Sequence, residues 1–495
     1  MIDNLIIGAG TSGITIAKNL KSGKNLVLER SNFDDYPIFY RVPLFIGLIF
    51  GNSKYIKTLK FKNKNRFIPF YESNVVGGAS EINGCVHAFG AKLKWEEELK
   101  NKDLEYSQVL QRYNSLFSYH PTRDQIALKK SFTNIIDKLF FKYLNSLNYR
   151  KGDMTFSDNE IYGPISLNSD KFFRSSVKKF VNNFNKRIIK KNVDVYDIEF
   201  DENNHVKGVN TSNGFIAAKR VILAAGTIGT NKILLKTKKN FKRNNREDPL
   251  SDMIGKNIQD HPNFRIKAYT YERFESLNEI NESLFLKIKN FIKHSLGINT
   301  FFSSTGASSA VYIDFNGDGL VDTKLQIVQF TEKGRLSSDK SKMQFDINPG
   351  FSIAITIIDP KSFGNISLSE EGEITVNPNY FNDTKDVDLA EKAIKFILNF
   401  LDSELMKEKI KSIDSNDLLR SDIKKFIEEN HYSGYHLVGG CGSKNNEVIN
   451  SDFSLKGVDG VYICDASCFD TCVSSNTHAP VISLAESFSK DLYEF

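Results

Sequence analysis

Three histidines stand close together towards the end of the 495-residue chain: His431, His436 within "GYHLVGGCGS" (434–443), and His478 within "SSNTHAP" (474–480). An imidazole with an ordinary pKa of about 6.5 can accept a proton, ligate a metal, or simply fill a turn. Asn476, two residues before His478, adds an amide that can hold a substrate oxygen. Among such groups, proton abstraction from a bound molecule is the chemistry on offer, and its site would need something to take electrons or a leaving group.

A second set of residues supplies a place for a cofactor. "NLIIGAGTSGITIAKNL" (4–20) carries Gly8, Gly10 and Gly13 in a G-x-G-x-x-G arrangement. An apolar strand pattern, Leu5 to Ile7, precedes it, and Ile14, Ile16, Ala17 and Leu20 follow with a helical period. Gly8 allows a tight turn, Gly10 allows a pyrophosphate to approach the backbone, and Gly13 allows close helix–strand packing. The unpaired N–H groups at the helix start, with Thr11 and Ser12 beside them, face the phosphates. "NLVLER" then ends a strand at Glu29, 21 residues after Gly8, where a carboxylate can accept from both ribose hydroxyls. These features predict a dinucleotide site and leave NAD and FAD open. "VVGGASEINGCVHAFG" (75–90) brings Gly77, Gly78, Ala79 and Ser80, whose backbone amides can close on a phosphate or a flat ring.

Other constellations promise less. Cys464, Cys468 and Cys472 fall at four-residue steps that match no zinc or ferredoxin spacing, so buried free thiols are expected and no metal. "DFNGDGLVD" (314–322) opens like a calcium loop, with Asp314, Asn316, Asp318 and Asp322, but Leu325 stands where the closing acidic ligand belongs. A turn between two strands accounts for it equally. The 66 basic and 60 acidic residues are dispersed, without a basic block interleaved with aromatics, so no nucleic-acid partner is expected. The longest apolar run, "VPLFIGLIFG" (42–51), is too short to span a bilayer and reads as a buried segment or pocket lid, with surface docking as the alternative. No signal peptide is read before the first strand, and few cysteines suit a reducing, cytoplasmic setting.

The elements that must position these groups can be read from periodicity. Residues 190–226 alternate short strand patterns with turn clusters and predict a hairpin meander ending in "VILAAG". "KLQIVQF", "FSIAITIID", "GNISL" and "EITVN" predict an antiparallel sheet over 300–380, followed by a helical stretch at 385–429. Residues 97–118 read as a solvated helix.

Taken together, the motifs resemble the glucose–methanol–choline (GMC) family of FAD-dependent oxidoreductases. The stretch 75–90 resembles one family segment, "RVILAAGTIGTNKILL" (220–235) its second signature, and "IGKNIQDHP" (254–262) and "DPKSFGNISL" (359–368) later ones. "HLVGGCG" and "VYICDASCFDTCVSSNTHAPVISLAES" (461–487) resemble the family's C-terminal segments, so the likeness runs from residue 4 to 490. It implies an α/β (α+β overall) fold, with a Rossmann-like FAD-binding domain of the glutathione-reductase type and a substrate domain built on an antiparallel sheet covered by helices. The implied division is 1–262 for FAD, with inserted cap or lid segments over about 35–170, 263–424 for substrate, and 425–495 returning to the FAD domain.

The resemblance selects His436 and Asn476 as the catalytic pair, His436 taking the hydroxyl proton of an alcohol while hydride passes to flavin N5. It implies FAD contacts from Gly8, Gly10, Thr11, Ser12, Gly13, Glu29, Arg30, Gly77, Gly78, Ala79, Ser80, Asn83, Gly84, Val86, Val193, Ala225, Gly226, Asp465, Ala466, Asn476 and Thr477. Ile82 stands where some members carry a histidine bonded to FAD, so the flavin is expected to be non-covalent. His87 and His431 are expected to pack or hydrogen-bond, and His478 to border the pocket. The expected donor is a sugar, polyol or other polar alcohol, with a quinone, carrier or oxygen as acceptor and a dehydrogenase favoured over an oxidase. Lyase-type or light-driven chemistry on the same fold, and a flavin-binding protein without turnover, are the alternatives.

Overall fold

The computed structural model describes residues 1–20, 23–50, 52–64, 66–181, 188–332, 344–443 and 447–492. Its first layer grows from the amino-terminal glycine motif. β1 (Ile2–Ile7), α1 (Thr11–Asn19) and β2 (Asn25–Leu28) form a β–α–β unit. β1 pairs in parallel on both sides, Ile6 opposite Val27 and opposite Ile222 of the strand Gly214–Leu223. A strand flanked by parallel neighbours is buried on both faces, which is why Leu5 and Ile6 are inaccessible although adjacent in sequence. Val461–Ile463 extends the sheet in parallel beyond Gly214–Leu223, and the predicted meander, Val195–Phe200 and Val206–Thr211, continues it antiparallel. Gly13 sits where α1 crosses the motif; a Cβ there would meet the Gly8 carbonyl oxygen at 1.9 Å. The helix His478–Ser487 packs on α1, with Lys18 and Glu486 paired at 2.7 Å.

The second layer is an eight-stranded, mostly antiparallel sheet. Its order is Ile410–Ile413, Pro262–Thr270, Gly350–Ile357, Thr323–Val328, Ala307–Ile313, Ile161–Pro164 and Arg150–Lys151, with Tyr432–Ser433 beside Pro262. Alternation decides which residues face which way. Phe264, Ile266, Leu325, Ile327, Ile353 and Ile355 form one core with Ala390, Ile394 and Ile397 of the helix Thr384–Leu401. The intervening residues, Asn263, Arg265, Lys324, Gln326, Ala354 and Thr356, turn towards a cavity between the layers.

Three expectations need correction, and the open reading of 314–322 resolves. The stretch 97–118 is two helices, Lys92–Leu99 and Tyr106–Leu116. Between them Lys102 ends the first by donating to the Glu98 carbonyl, and the Gln108 side chain starts the second by accepting from Glu105 N–H. The stretch 385–429 is broken by the strand Ile410–Ile413, which pairs with the sheet edge at Ala268–Thr270, and resumes as two short helices. "GNISL" and "EITVN" do not join the large sheet; they form a four-stranded one with Lys256–Gln259 and Val438–Gly439. Residues 314–322 are the connection between two sheet strands, where the Asp314 carboxylate accepts from Gly317 N–H and Gly319 N–H. The run 42–51 forms short turns and the helix Ile46–Ile49, and Leu44, Ile46, Gly47 and Phe50 line the cavity; Gly51 lies outside the described residues.

Candidate active site

A cavity of about 560 Å³ runs between the layers. One end is the cradle of the glycine motif. Glu29, buried at the end of β2, accepts from Ala9 N–H at 2.7 Å and from Ser31 N–H at 2.8 Å. Each carboxylate oxygen keeps a further lone pair, enough for two ribose hydroxyls. Val193 and Asp194 line the cavity beside it. The two glycine segments meet further in: a Cβ on Gly78, whose φ is +59°, would lie 2.8 Å from Gly10 Cα. Gly77 N–H donates to the Ala9 carbonyl at 2.8 Å, which ties the segments together. Asp465 is held by Gly226 N–H at 2.9 Å, the Thr230 hydroxyl at 2.6 Å and Ser467 N–H at 2.8 Å. A buried carboxylate with lone pairs to spare, a side-chain-free channel and a helix start facing it fit a dinucleotide such as FAD.

The other end holds the titratable groups. His436 lies between two partners: its Nδ1 is 2.9 Å from Nδ1 of His261 and its Nε2 is 2.9 Å from Nδ2 of Asn476. The Asn476 Oδ1 in turn lies 3.2 Å from Nζ of Lys324. An ammonium only donates, so Oδ1 accepts and the Asn476 amide nitrogen must face His436 as a donor. The Nε2 of His436 therefore carries a lone pair and no proton. Its proton sits on Nδ1 and is donated to His261. One lysine sets the direction of the whole chain.

The backbone holds this chain in place. Asp260 accepts from His436 N–H at 2.8 Å and from the hydroxyls of Tyr380 and Ser433, while Gly434 N–H donates to the His261 carbonyl at 2.8 Å. Burial raises the Asp260 carboxyl to about 6 against these hydrogen bonds. Burial also pushes His436 well below the usual imidazole range, helped by the neighbouring His261 and Lys324, so the neutral base persists into acid. Lys324, buried, is drawn down to about 8 by loss of solvent.

Models of the amino- and carboxy-terminal parts of GMC oxidoreductases match residues 2–263 and 360–485. The chain belongs to the GMC oxidoreductase family. It is 23% identical to an "Alcohol dehydrogenase [acceptor]" of Pseudomonas putida, over 98% of this chain and 94% of that one. An "Oxygen-dependent choline dehydrogenase" of Photobacterium profundum is also 23% identical, over 98% and 91%. Among solved structures, a formate oxidase variant of Aspergillus oryzae superposes with a TM-score of 0.83 at 17% identity, covering 99% of each chain. A pyridoxine 4-oxidase from Mesorbium loti gives 0.80 at 14%, again over 99% of each. These likenesses place this GMC oxidoreductase among FAD flavoproteins of the same α/β architecture.

Most residues singled out from the sequence lie on the cavity wall of this GMC protein: Gly8, Gly10, Thr11, Ser12, Glu29, Arg30, Gly78, Ala79, Asn83, Gly84, Val86, Val193, Ala225, Gly226, His436, Asp465, Ala466, Asn476 and Thr477. Three do not. Gly13 packs against Gly8, while Gly77 and Ser80 serve the loop itself, the Ser80 hydroxyl donating to the Gly77 carbonyl at 2.7 Å. The Ser12 hydroxyl is also committed elsewhere, to the Cys464 carbonyl, so only its backbone remains for a phosphate. His431 bonds Asn63 and the Ile427 carbonyl, and His87 bonds Asn168 and Tyr113, both away from the site. His478 borders the cavity and contacts Asn168 at 3.1 Å.

The sequence reading missed Lys324, His261 and Asp260. A signal for Lys324 existed: in "TKLQIV" it opens the row Lys324, Gln326, Val328, opposite the apolar row Leu325, Ile327. The Gly78–Gly10 contact yields a prediction. Gly78→Ala adds a Cβ to a left-handed residue against a backbone atom, so the loops must part. The purified variant is expected to lose most of its FAD, read as the flavin-to-protein absorbance ratio; wild-type flavin content would show that the approach is not tight.

Proposed function

We propose that this GMC oxidoreductase oxidises the CH–OH group of a polar alcohol with a non-covalently held FAD. One observation carries the reading: a single cavity joins the Glu29 cradle to the lone pair of His436. FAD, when bound, supplies the two-electron acceptor for the hydrogen on the alcohol carbon. Glu29 and Asp194 would hold its adenosine end, with the Gly10–Gly78 channel and the start of α1 around its pyrophosphate.

The chain's own residues then handle the hydroxyl. An alcohol O–H can donate to Nε2 of His436, the unprotonated nitrogen of that ring, by displacing the Asn476 amide hydrogen that it accepts in the structure. Asn476 keeps a second amide hydrogen for the alcohol oxygen. Lys324 is the cation next to that oxygen, and negative charge developing there is stabilised by an ammonium that has lost its water. This matters because a weakly basic His436 removes a proton well only if the alcohol is made more acidic. Fixed donors also orient the C–H bond.

Asn263, Gln326 and the Arg265–Glu332 pair (3.3 Å) present polar groups to the cavity, which supports a polar donor. The Lys324 charge works against a cationic one of the kind named for the choline dehydrogenases. Ile82 lines the cavity without a nucleophile, which supports non-covalent FAD. The name of the Pseudomonas putida relative supports an acceptor other than oxygen. A reducing, cytoplasmic setting is part of the proposal, supported by five buried free thiols.

Anaerobic addition of a panel of alcohols, followed by the visible flavin absorbance, tests this. Bleaching by polar alcohols, and re-oxidation by a quinone faster than by oxygen, is expected. A flavin that stays yellow with every alcohol would overturn it.

A further inference from the structure

The helix Leu284–Ser295 is built inside out. Its buried positions are polar, Asn290 and His294, the latter within 3.2 Å of the Phe172 carbonyl. Its apolar positions face outward: Leu284 is 72% exposed, Phe285 73% and Phe291 60%, with Ile288, Ile292 and Leu296 also open. The spacing 284, 288, 291 and 285, 288, 292, 296 is the 3.6-residue period, so these side chains form one stripe. A stripe of this size exposed to water is costly, and it marks a surface that something covers.

Charge indicates what covers it. Residues 284–298, "LFLKIKNFIKHSLGI", contain Lys287, Lys289 and Lys293 and no acidic residue. Lys289 reaches back to Glu275 at 2.6 Å, whereas Lys287 is exposed beside the stripe. Exposed Lys171 lies against Gly297 and adds a further cation at the helix end. Apolar side chains flanked by cations are complementary to an anionic lipid surface. A second copy docked on the same face would bring these cations together, which disfavours it.

The patch is continuous with the wall of the cavity. Leu286, on the inner side of the helix, packs in one cluster with Leu44, Val328, Phe330 and Phe345, the last four all cavity-lining. The Phe302 ring contacts both Phe291 of the helix, at 6.5 Å between centroids, and Phe45, at 5.6 Å. Phe45 belongs to the lid segment whose Leu48 is exposed. None of the described helices is long and apolar enough to cross a membrane, so the contact would be peripheral.

We propose that the helix Leu284–Ser295 docks this protein on the surface of an anionic phospholipid bilayer. Flotation of the full chain with vesicles tests it, comparing pure phosphatidylcholine with phosphatidylcholine containing about one third phosphatidylglycerol. Binding is expected to the anionic vesicles, weaker in about 1 M salt. Phe285→Ser with Phe291→Ser should lower that binding roughly tenfold or more, at unchanged flavin content and melting temperature. If that double variant fails to fold, Lys287→Glu with Lys293→Glu carries the same test on the anionic vesicles. Wild-type protein that floats with neither vesicle overturns the proposal, and so does a folded variant, of either kind, that floats as well as wild type. A wild-type dimer that the double-serine variant converts to monomer also overturns it, in favour of a second copy on this face.

Discussion

His436→Ala is expected to leave a yellow, folded flavoprotein whose reduction by an alcohol is about 10²- to 10⁴-fold slower than wild type. The imidazole bonds His261 and Asn476, not Glu29 or the glycine segments, so FAD binding should survive its loss. What disappears is the unprotonated ring nitrogen of His436, which accepts from the Asn476 amide nitrogen until an alcohol hydroxyl takes its place. Asn476 then keeps only the Lys324 bond to its Oδ1 and loses the partner of its amide nitrogen, so the loss includes orientation as well as proton transfer. Single-turnover absorbance under anaerobic conditions reads the step directly. A variant reduced at the wild-type rate would remove His436 from the chemistry.

Lys324→Met is expected to act in two opposite directions. The alcohol oxygen loses its nearest cation, and reduction should slow by roughly 10²-fold, the size of effect seen when one preorganised donor is removed from a site. Stability should rise. Burial takes the lysine from 10.5 to about 8, so at neutral pH the folded chain carries a charge that its surroundings disfavour by roughly 3 kcal/mol. The sign follows from a folded value below the unfolded one. The penalty is complete below about pH 8, shrinks as pH rises, and is gone above 10.5. Methionine, similar in length and uncharged, removes it, less about 1 kcal/mol for the lost hydrogen bond to Asn476. The variant should therefore melt higher than wild type at pH 7, with the gap closing towards pH 10. In activity, wild type should fall as pH climbs through about 8 and the ammonium is lost, and the variant should lack that alkaline limb. A variant that is slower but no more stable, with the alkaline limb intact, would show that Lys324 only fills space.

The cradle was legible in the sequence because its determinants are local. Gly8, Gly10, Gly13 and Glu29 act within one β–α–β unit, and each does so through backbone geometry or strand position. His436 and Asn476 were legible only through the likeness of whole segments, since no local rule joins them. Lys324 and His261 were not, because their roles depend on sheet register: Lys324 stands opposite Thr356, which stands opposite Asn263, and that row turns to the cavity. Asp260 lay in the recognisable segment 254–262, but its role was hidden, as its partners Tyr380, Ser433 and the His436 backbone come from distant segments. The breaks in the two long helical stretches were hidden for a related reason. A strand as short as Ile410–Ile413 is set by the edge it joins, not by its own composition.

The strand Val461–Ile463 and the helix His478–Ser487 complete the layer that β1 and α1 begin, with Leu5, Ile6, Val461, Ile463 and Ile482 in one core. During synthesis on a ribosome this has a consequence. The glycine cradle leaves the exit tunnel long before residues 461–487, which supply one flank of its sheet and the helix against α1. Contacts separated by so much chain form late. The cradle is therefore complete only once residues 461–487 have emerged, and until then the nascent chain must keep its half-built cradle from aggregating.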